Sequence, residues 1–458
     1  MSDYDDSDAG SDFAFGDSPA AKPKAKPKAA ASAKPKAKPA GQAANGSANG
    51  NGTTATKRDG PSVEEIYQKK TPIEHILLRP DTYIGSVEPI DEEMWVYDPT
   101  TMRMAQRTIR YTPGLYKIVD EILVNAADNK ARDPTMKRIE VTIDRENGVI
   151  SIQNDGKGIP IEIHREHDAY VPELIFGHLL TSSNYNDKEE KITGGRNGYG
   201  AKLCNIFSTE FIVETADANA QKKYHQVFSD NMLKIGKPKI TKHATKKEFT
   251  KITFKPDFAK FHMTHLDDDT IALITRRVYD LAGCVEGIKV LLNGEAIALS
   301  KGFRSYVELY LLPPSSPDGE PASSKSPDIV YKKLGERWEV AFAVSEGQFK
   351  QVSFVNSINT TRGGTHVNYI ADQITKKFIE SVKKSKVTIK PHLVKNNMWL
   401  FINSKIANPT FDSQTKETLT LRSTAFGSKC DVSDDFMKAV MKTELKEFVD
   451  MMVKRKEE

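Results

Sequence analysis

Residues 113–134 read PGLYKIVDEILVNAADNKARDP. Leu115, Ile118, Val119, Ile122, Leu123, Ala126 and Ala127 recur three or four apart, so a helix here has one continuous apolar stripe to bury. Beside it Glu121, Asn125 and Asn129 stand at i, i+4 and i+8, which makes a polar stripe on an adjoining face. Directly downstream, IEVTIDRENGVISIQND (139–155) changes to a period of two and reads as two strands around the turn Glu146-Asn147-Gly148. Upstream, VEEIYQKKTPIEHILLRP (63–80) spaces Ile66, Ile73, Ile76 and Leu77 as a helix that stops at Pro80. WVYD (95–98) and TIRYT (108–112) read as strands between the two helices. Further on, LITRRVYDLAGCV (273–285) is helical, and KVLLNGEAI (289–297) is a hairpin around Asn293-Gly294.

The rest of the chain divides by composition and pattern. Of 458 residues, the first 60 or so hold almost no aliphatic side chains: acidic MSDYDDSDAGSD, then AKPKAKPK, then GQAANGSANGNG. Such a segment cannot bury enough apolar surface to offset its ordering entropy, and it is expected to be disordered. Its Lys-Pro repeat is either a weak DNA-binding or nuclear-import element or a solvated tail. LPPSSPDGEPASSKSPD (312–328) has loop chemistry only. WEVAFAVS (338–345) and VSFVNSIN (352–359) read as a strand pair, THVNYIADQITKKFIESVKK (365–384) as a helix and MWLFINSKI (398–406) as a strand. A domain boundary is set near residue 298, at the hairpin's end.

A net charge of +4 permits a nucleic-acid partner without demanding one. Cys204, Cys284 and Cys430 are far apart with no CxxC spacing and no signal peptide, so the expectation is a reduced compartment and no zinc site. No apolar run approaches the roughly 20 residues of a membrane span. A soluble protein without a membrane partner is expected.

Four segments carry chemistry. On the long helix, a carboxylate one turn from a carboxamide suits a water-activating base, Glu121, beside a magnesium ligand, Asn125, because magnesium prefers oxygen donors. The same ExxxN pattern also occurs on solvated helix faces. Asn154-Asp155-Gly156-Lys157-Gly158-Ile159-Pro160 follows a strand. Its glycines let the backbone approach a flat ligand, and Asn154 can accept from an exocyclic amino group; a plain turn is the competing reading. In LLTSSNYNDKEEKITGGRNGYGAKLCNIFS (179–208), Gly194, Gly195, Gly198 and Gly200 crowd a loop that runs into a helix over Ala201–Phe207. Backbone N–H groups there form an anion cradle, or else a glycine hinge. The segment has neither a Walker A ending nor a GxGxxG fingerprint. Ser182, Ser183 and Asn184 lie upstream of it. Last, NPTFDSQTKETLT (408–420) projects Gln414 and Lys416, a compact charge suited to a terminal phosphate, from what is otherwise a charged loop.

Taken together, TPIEHILLRPDTYIGS, EILVNAADNKARD, NDGKGIP, LLTSSNY, TGGRNGYGAKLCNIFS and NPTFDSQTKETLT closely resemble the N-terminal region of eukaryotic type II DNA topoisomerases, over roughly residues 62–458. The wider superfamily of gyrase, heat-shock chaperone, histidine-kinase and mismatch-repair ATPases shares only the first three motifs, loosely. The resemblance implies an α+β fold. A two-layer α/β sandwich ATPase domain (63–298), its mixed sheet covered by helices on one face, would be followed by a smaller α/β transducer domain (299–458).

The resemblance also implies roles for matching residues. Glu121 is then the general base, Asn125 the Mg2+ ligand, and Asn154 the adenine contact where many superfamily members carry Asp. Asn129, Arg132, Ser182, Ser183, Asn184 and the run Gly195, Arg196, Asn197, Gly198, Tyr199, Gly200, Ala201, Lys202 contact ATP. Gln414, Thr415 and Lys416 reach the terminal phosphate from the second domain, and Tyr67 straps across the partner subunit's nucleotide. A homodimer on ATP binding, capture of double-stranded DNA with Lys383, Lys384 and Lys386 on its phosphates, and a nuclear location are further implications. No region for DNA cleavage is found, so a truncated chain is expected to carry the ATPase activity alone. The rivals are a chaperone-type ATPase of the same superfamily, against which TSSNY and FDSQTK argue, and a non-catalytic DNA-binding module, against which Glu121, Asn125 and Lys416 argue.

Overall fold

The period-two stretch forms two antiparallel strands, Arg138–Asp144 and Val149–Asp155, joined through Gly148 at φ +65°. They belong to a computed structural model that describes residues 68–179, 190–195, 198–313, 327–345, 347–382 and 389–457, all within one compact unit, Gln68–Glu458. Among the described residues nine strands make one mixed sheet. Its order is Lys239–Lys242, Lys222–Ser229, Ser208–Asp217, Phe249–Pro256, Val149–Asp155, Arg138–Asp144, Lys289–Leu292 and Glu295–Ala296, with Lys234–Ile235 beside Lys222–Ser229. Lys289–Leu292 runs parallel to Arg138–Asp144, and the helix Asp268–Cys284 supplies the crossover that a parallel pair needs.

Strand registers explain why one face of this sheet is buried. Ile143, Ile150, Phe254, Phe211 and Phe228 form one cross-strand row, and Val141, Ile152, Ile252 and Val213 form the next. Against these rows lies the helix Pro113–Arg132, whose Leu115, Ile118, Val119, Ile122 and Leu123 are all at most 2% exposed. Alternate strand residues such as Thr142 and Ser151 stay partly or fully exposed. Helices therefore cover one face, and the first layer pair is the two-layer sandwich expected.

A second sheet has the order Val330–Lys333, Trp338–Val344, Met398–Ser404, Lys350–Val355, Ile358–Asn359. This corrects one expectation: Trp338–Val344 and Lys350–Val355 are strands but not partners. Met398–Ser404 lies between them, antiparallel to the first and parallel to the second. Periodicity reveals a strand, whereas its neighbour depends on the helix Thr365–Val382 carrying the chain back across the sheet. Val340, Phe342, Leu400 and Ile402 face that helix, while Ala341, Ala343, Trp399 and Phe401 pack on the helix Phe303–Leu311. The latter cluster also takes in Cys284, at the end of the helix Asp268–Cys284, and Met104, from the hairpin Ile90–Asp98/Arg103–Tyr111, so this face of the second sheet packs against elements that precede it in the chain.

Among the described residues, the first helix covers only part of the stretch 63–80. It runs Pro72–Leu78, because Thr71 and Glu74 form a reciprocal capping box and Pro72 opens the first turn. The tail, Tyr67 and most of the loop at 312–328 lie outside the described residues.

His366 gives this fold a measurable pH dependence. It is fully buried, its Nε2 is 3.1 Å from Thr360 Oγ1, and its Nδ1 has no hydrogen-bond partner among the described residues. Burial pushes its pKa down from 6.5 to about 3. As pH falls below the unfolded value the unfolded chain gains a proton that the folded chain refuses, so stability falls through that window. At pH 5 the loss is about 2 kcal/mol. Urea titrations at pH 7 and pH 5 should show this loss in the parent chain and not in His366→Asn; equal losses in both would refute it.

Candidate functional site

The third cross-strand row of the first sheet breaks the apolar pattern. Ile139, Asn154, Thr250, Thr215 and Tyr224 lie side by side, with polar groups at its middle. Asn154 and Thr250, with Ile152 and Ile252, floor a cavity of about 500 Å³, a size that suits a small-molecule ligand. At this end the turn after Asp155 is pressed onto Ser208–Asp217, the next strand but one. Ile159 N donates to Thr215 Oγ1 (3.0 Å) and Ile161 N to Asp217 Oδ2 (3.0 Å). A side chain on Gly158 would strike the Ala216 carbonyl, so only glycine permits this approach. Asp133 Oδ2 accepts from Lys157 N at 2.6 Å and fixes the turn from the helix side.

The polar stripe of Pro113–Arg132 forms one wall, with Glu121, Asn125, Asn129 and Arg132 lining the cavity. Asn129 Nδ2 donates to the Asp155 carbonyl (3.3 Å), as does Asn154 Nδ2 (2.9 Å), which ties wall to floor. Glu121 is 2% exposed, with Lys117 Nζ at 2.7 Å and Lys416 Nζ at 3.3 Å from its Oε1. Burial alone would raise its pKa; Lys117 and Lys416 outweigh that and bring it down to about 2. The base candidate is thus a buried carboxylate held ionised by two ammoniums.

Glycines close the cavity. Gly195, Gly198, Gly200, Ala201 and Lys202 line it. Gly200 sits so close to Glu121 that a Cβ would collide with its carboxyl oxygen. Asp128, buried on the same helix, accepts from Gly194 N (2.7 Å) and Gly195 N (2.8 Å). Burial raises its pKa, and these two hydrogen bonds oppose the rise. Lys202 is buried with Nζ 2.7 Å from the Gly198 carbonyl, and burial lowers its pKa to about 8. From the region of the second sheet come Gln414 and Lys416, the latter at φ +61°.

Comparison with known proteins agrees with this geometry. A family described as "Histidine kinase-, DNA gyrase B-, and HSP90-like ATPase" matches residues 111–259, and one described as "DNA gyrase B" matches 302–458. The crystal structure of the ATPase region of Saccharomyces cerevisiae topoisomerase II is 53% identical, with a TM-score of 0.79, covering 86% of this chain and 100% of that one. The chain belongs to the type II DNA topoisomerase family. The ATPase and transducer domains of the DNA topoisomerase II from Balamuthia mandrillaris align with a TM-score of 0.81 at 49% identity, over 87% of this chain and all of that one. DNA topoisomerase 2 of Candida glabrata is 55% identical over 390 residues, 84% of this chain but 28% of that protein. The chain therefore spans under a third of the length of such relatives and corresponds to the ATPase region of a type II topoisomerase.

Membership of this family argues against the two rivals, and the geometry shows what the sequence reading overlooked. Asp128 lies seven residues after Glu121, on the face that carries Asn125 and Arg132, and that spacing was the signal available for it. Lys117, one turn before Glu121, was another. Thr215 and Asp217 gave no local signal, because only the pairing of distant strands brings them to the turn at Gly158. Neither Tyr199 nor Thr415 lines the cavity: Tyr199 packs against Tyr83 (ring centroids 6.1 Å apart) and Thr415 Oγ1 is 2.7 Å from Ser413 Oγ. Ser182, Ser183, Asn184, Arg196, Asn197, Lys383, Lys384, Lys386 and Tyr67 lie outside the described residues.

Proposed function

We propose that the cavity binds ATP and that Glu121 is the base for its hydrolysis. The observation that carries this reading is the meeting of three groups at one point: the Glu121 carboxylate, the backbone at Gly200, and Lys416 from the second sheet's region. Phosphoryl transfer to water needs positioning and charge stabilisation more than covalent chemistry. Glu121, held ionised, orients water. Lys416 and Lys202 offer ammoniums to the terminal phosphates, and the glycine segment offers N–H groups. Asn154 faces the base end, where its carbonyl oxygen accepts from an exocyclic amino group.

A hard divalent cation fits the donor set. Asn125 carries a neutral oxygen donor in the cavity, with Oδ1 close to the glycine segment, whereas Asp128 is committed to Gly194 and Gly195. Mg2+ held there would neutralise charge on the phosphates. Arg132, Ser182, Ser183, Asn184, Arg196 and Asn197 are proposed as further nucleotide contacts, with residues 299–458 as the transducer. In the whole protein we propose ATP-driven homodimerisation around a DNA segment in the nucleus, Tyr67 reaching the partner's nucleotide, and Lys383, Lys384 and Lys386 meeting DNA phosphates.

Steady-state phosphate release, paired with molecular mass, tests the reading. The chain should release phosphate from ATP, stop when a chelator removes divalent cations, and double in mass with a non-hydrolysable ATP analogue. No phosphate release would remove the catalytic assignment, and an unchanged mass would remove the gate.

A further inference from the structure

Lys191–Gly195, the stem of the glycine segment, is held from two sides. On the ATPase side Asp128 takes the N–H groups of Gly194 and Gly195. On the other side stand two asparagines from the region of the second sheet. Asn356 Nδ2 donates to the Thr193 carbonyl (3.2 Å), and Asn408 N donates to the Lys191 carbonyl (2.9 Å) while Asn408 Oδ1 accepts from Lys191 N (3.3 Å). The two asparagines are themselves linked, because Asn356 exchanges hydrogen bonds with both the N–H (2.8 Å) and the carbonyl (2.9 Å) of Ile406, two residues before Asn408.

Both asparagines have left-handed backbone, φ +50° at Asn356 and φ +42° at Asn408. Asn356-Ser357 is the two-residue turn between Lys350–Val355 and Ile358–Asn359, and Ser357 is also left-handed at φ +65°. A serine in that region is uncommon, and the turn is held there by what it touches. Its Ser357 carbonyl accepts from Arg277 Nη2 (2.5 Å), and Arg277 Nε donates to Asp120 Oδ1 (2.6 Å), the residue next to Glu121. One turn of the second sheet thus touches the glycine stem directly and the neighbour of the base through a fully buried arginine.

We infer that Asn356 and Asn408 are positioning residues through which the second domain reads the glycine segment, a route separate from Lys416. This rests on the reading of the cavity as the ATP site. A nucleotide that shifts Lys191–Gly195 then moves the edge of the second sheet without needing the terminal-phosphate lysine, and strain in that sheet returns to Lys191–Gly195 by the same bonds.

Glycine is the clean substitution, because it keeps the left-handed backbone and removes only the side-chain bonds. Asn356→Gly, Asn408→Gly and the double variant should each fold, with kcat for ATP hydrolysis reduced about tenfold and KM within about threefold. In the parent chain, a non-hydrolysable ATP analogue should slow hydrogen exchange at residues 350–359; in the variants that response should be lost. An unchanged kcat overturns the inference, and so does a lowered kcat with the exchange response intact, which would leave the asparagines a structural role only. Glu121→Gln serves as the reference. If it hydrolyses ATP like the parent, the ATP-site reading falls and this inference with it. If it is inactive while the asparagine variants behave as the parent, only the inference falls.

Discussion

Glu121→Gln should bind ATP about as well as the parent chain and turn it over at least about 10²-fold more slowly. The floor at Asn154 and Thr250 lies apart from the substituted atom, and glutamine keeps the size of the carboxyl group beside Gly200, so the contacts proposed for ring and phosphates survive. What goes is the charge. Glu121 is buried among Lys117 and Lys416, at 2.7 and 3.3 Å, and a neutral amide there neither takes a proton from water nor balances two buried ammoniums. The pH profile supplies a second check. Burial pushes the carboxyl up, the two lysines hold it down at about 2, and the group therefore stays ionised throughout the ordinary assay range. An acid limb of kcat near neutrality would have to come from another group. Single-turnover phosphate release and equilibrium nucleotide binding separate the two effects; turnover close to that of the parent would show that Glu121 is not the base.

The parts of this site that were legible in sequence share one property: their spacing is set by a single element. Glu121, Asn125 and Asn129 were readable because one helix fixes their separation, and the apolar stripe beside them oriented that helix. Gly158 and Gly200 were readable as glycines, although not the collisions with the Ala216 carbonyl and the Glu121 carboxylate that require them. Lys117, Asp120 and Arg277 were passed over because charged side chains belong at the surface by default. The burial of Asp120 and Arg277 depends on a partner 157 residues away, each for the other, whereas Lys117 is paired with Glu121 one turn further along the same helix. The same limit explains the strand error. VSFVNSIN reads as a strand, yet nothing in its alternation says that it turns at Asn356-Ser357, that Met398–Ser404 will lie beside it, or that its turn will touch Thr193.

Lys416→Ala should lose hydrolysis by about 10²-fold and also weaken the doubling of mass driven by a non-hydrolysable analogue. The lysine is 4% exposed and stands at φ +61°, a backbone conformation that a side chain of its size rarely takes. It reaches from the region of the second sheet to Glu121 on the helix Pro113–Arg132, so one ammonium serves both the charge balance of the site and the contact between that helix and the second sheet's region. Alanine at this position removes the attraction and leaves Glu121 with Lys117 alone. With Lys416 among the groups that hold the Glu121 pKa down, its removal moves that pKa upward, and any acid limb of the residual kcat should shift to higher pH, not lower. Cross-linking across the dimer with the analogue present, read beside phosphate release, decides between two roles. Loss of both activities places Lys416 in coupling and chemistry together. Full closure with hydrolysis lost would confine it to chemistry and leave the asparagine contacts at Thr193 and Lys191 as the path by which the second domain senses the nucleotide.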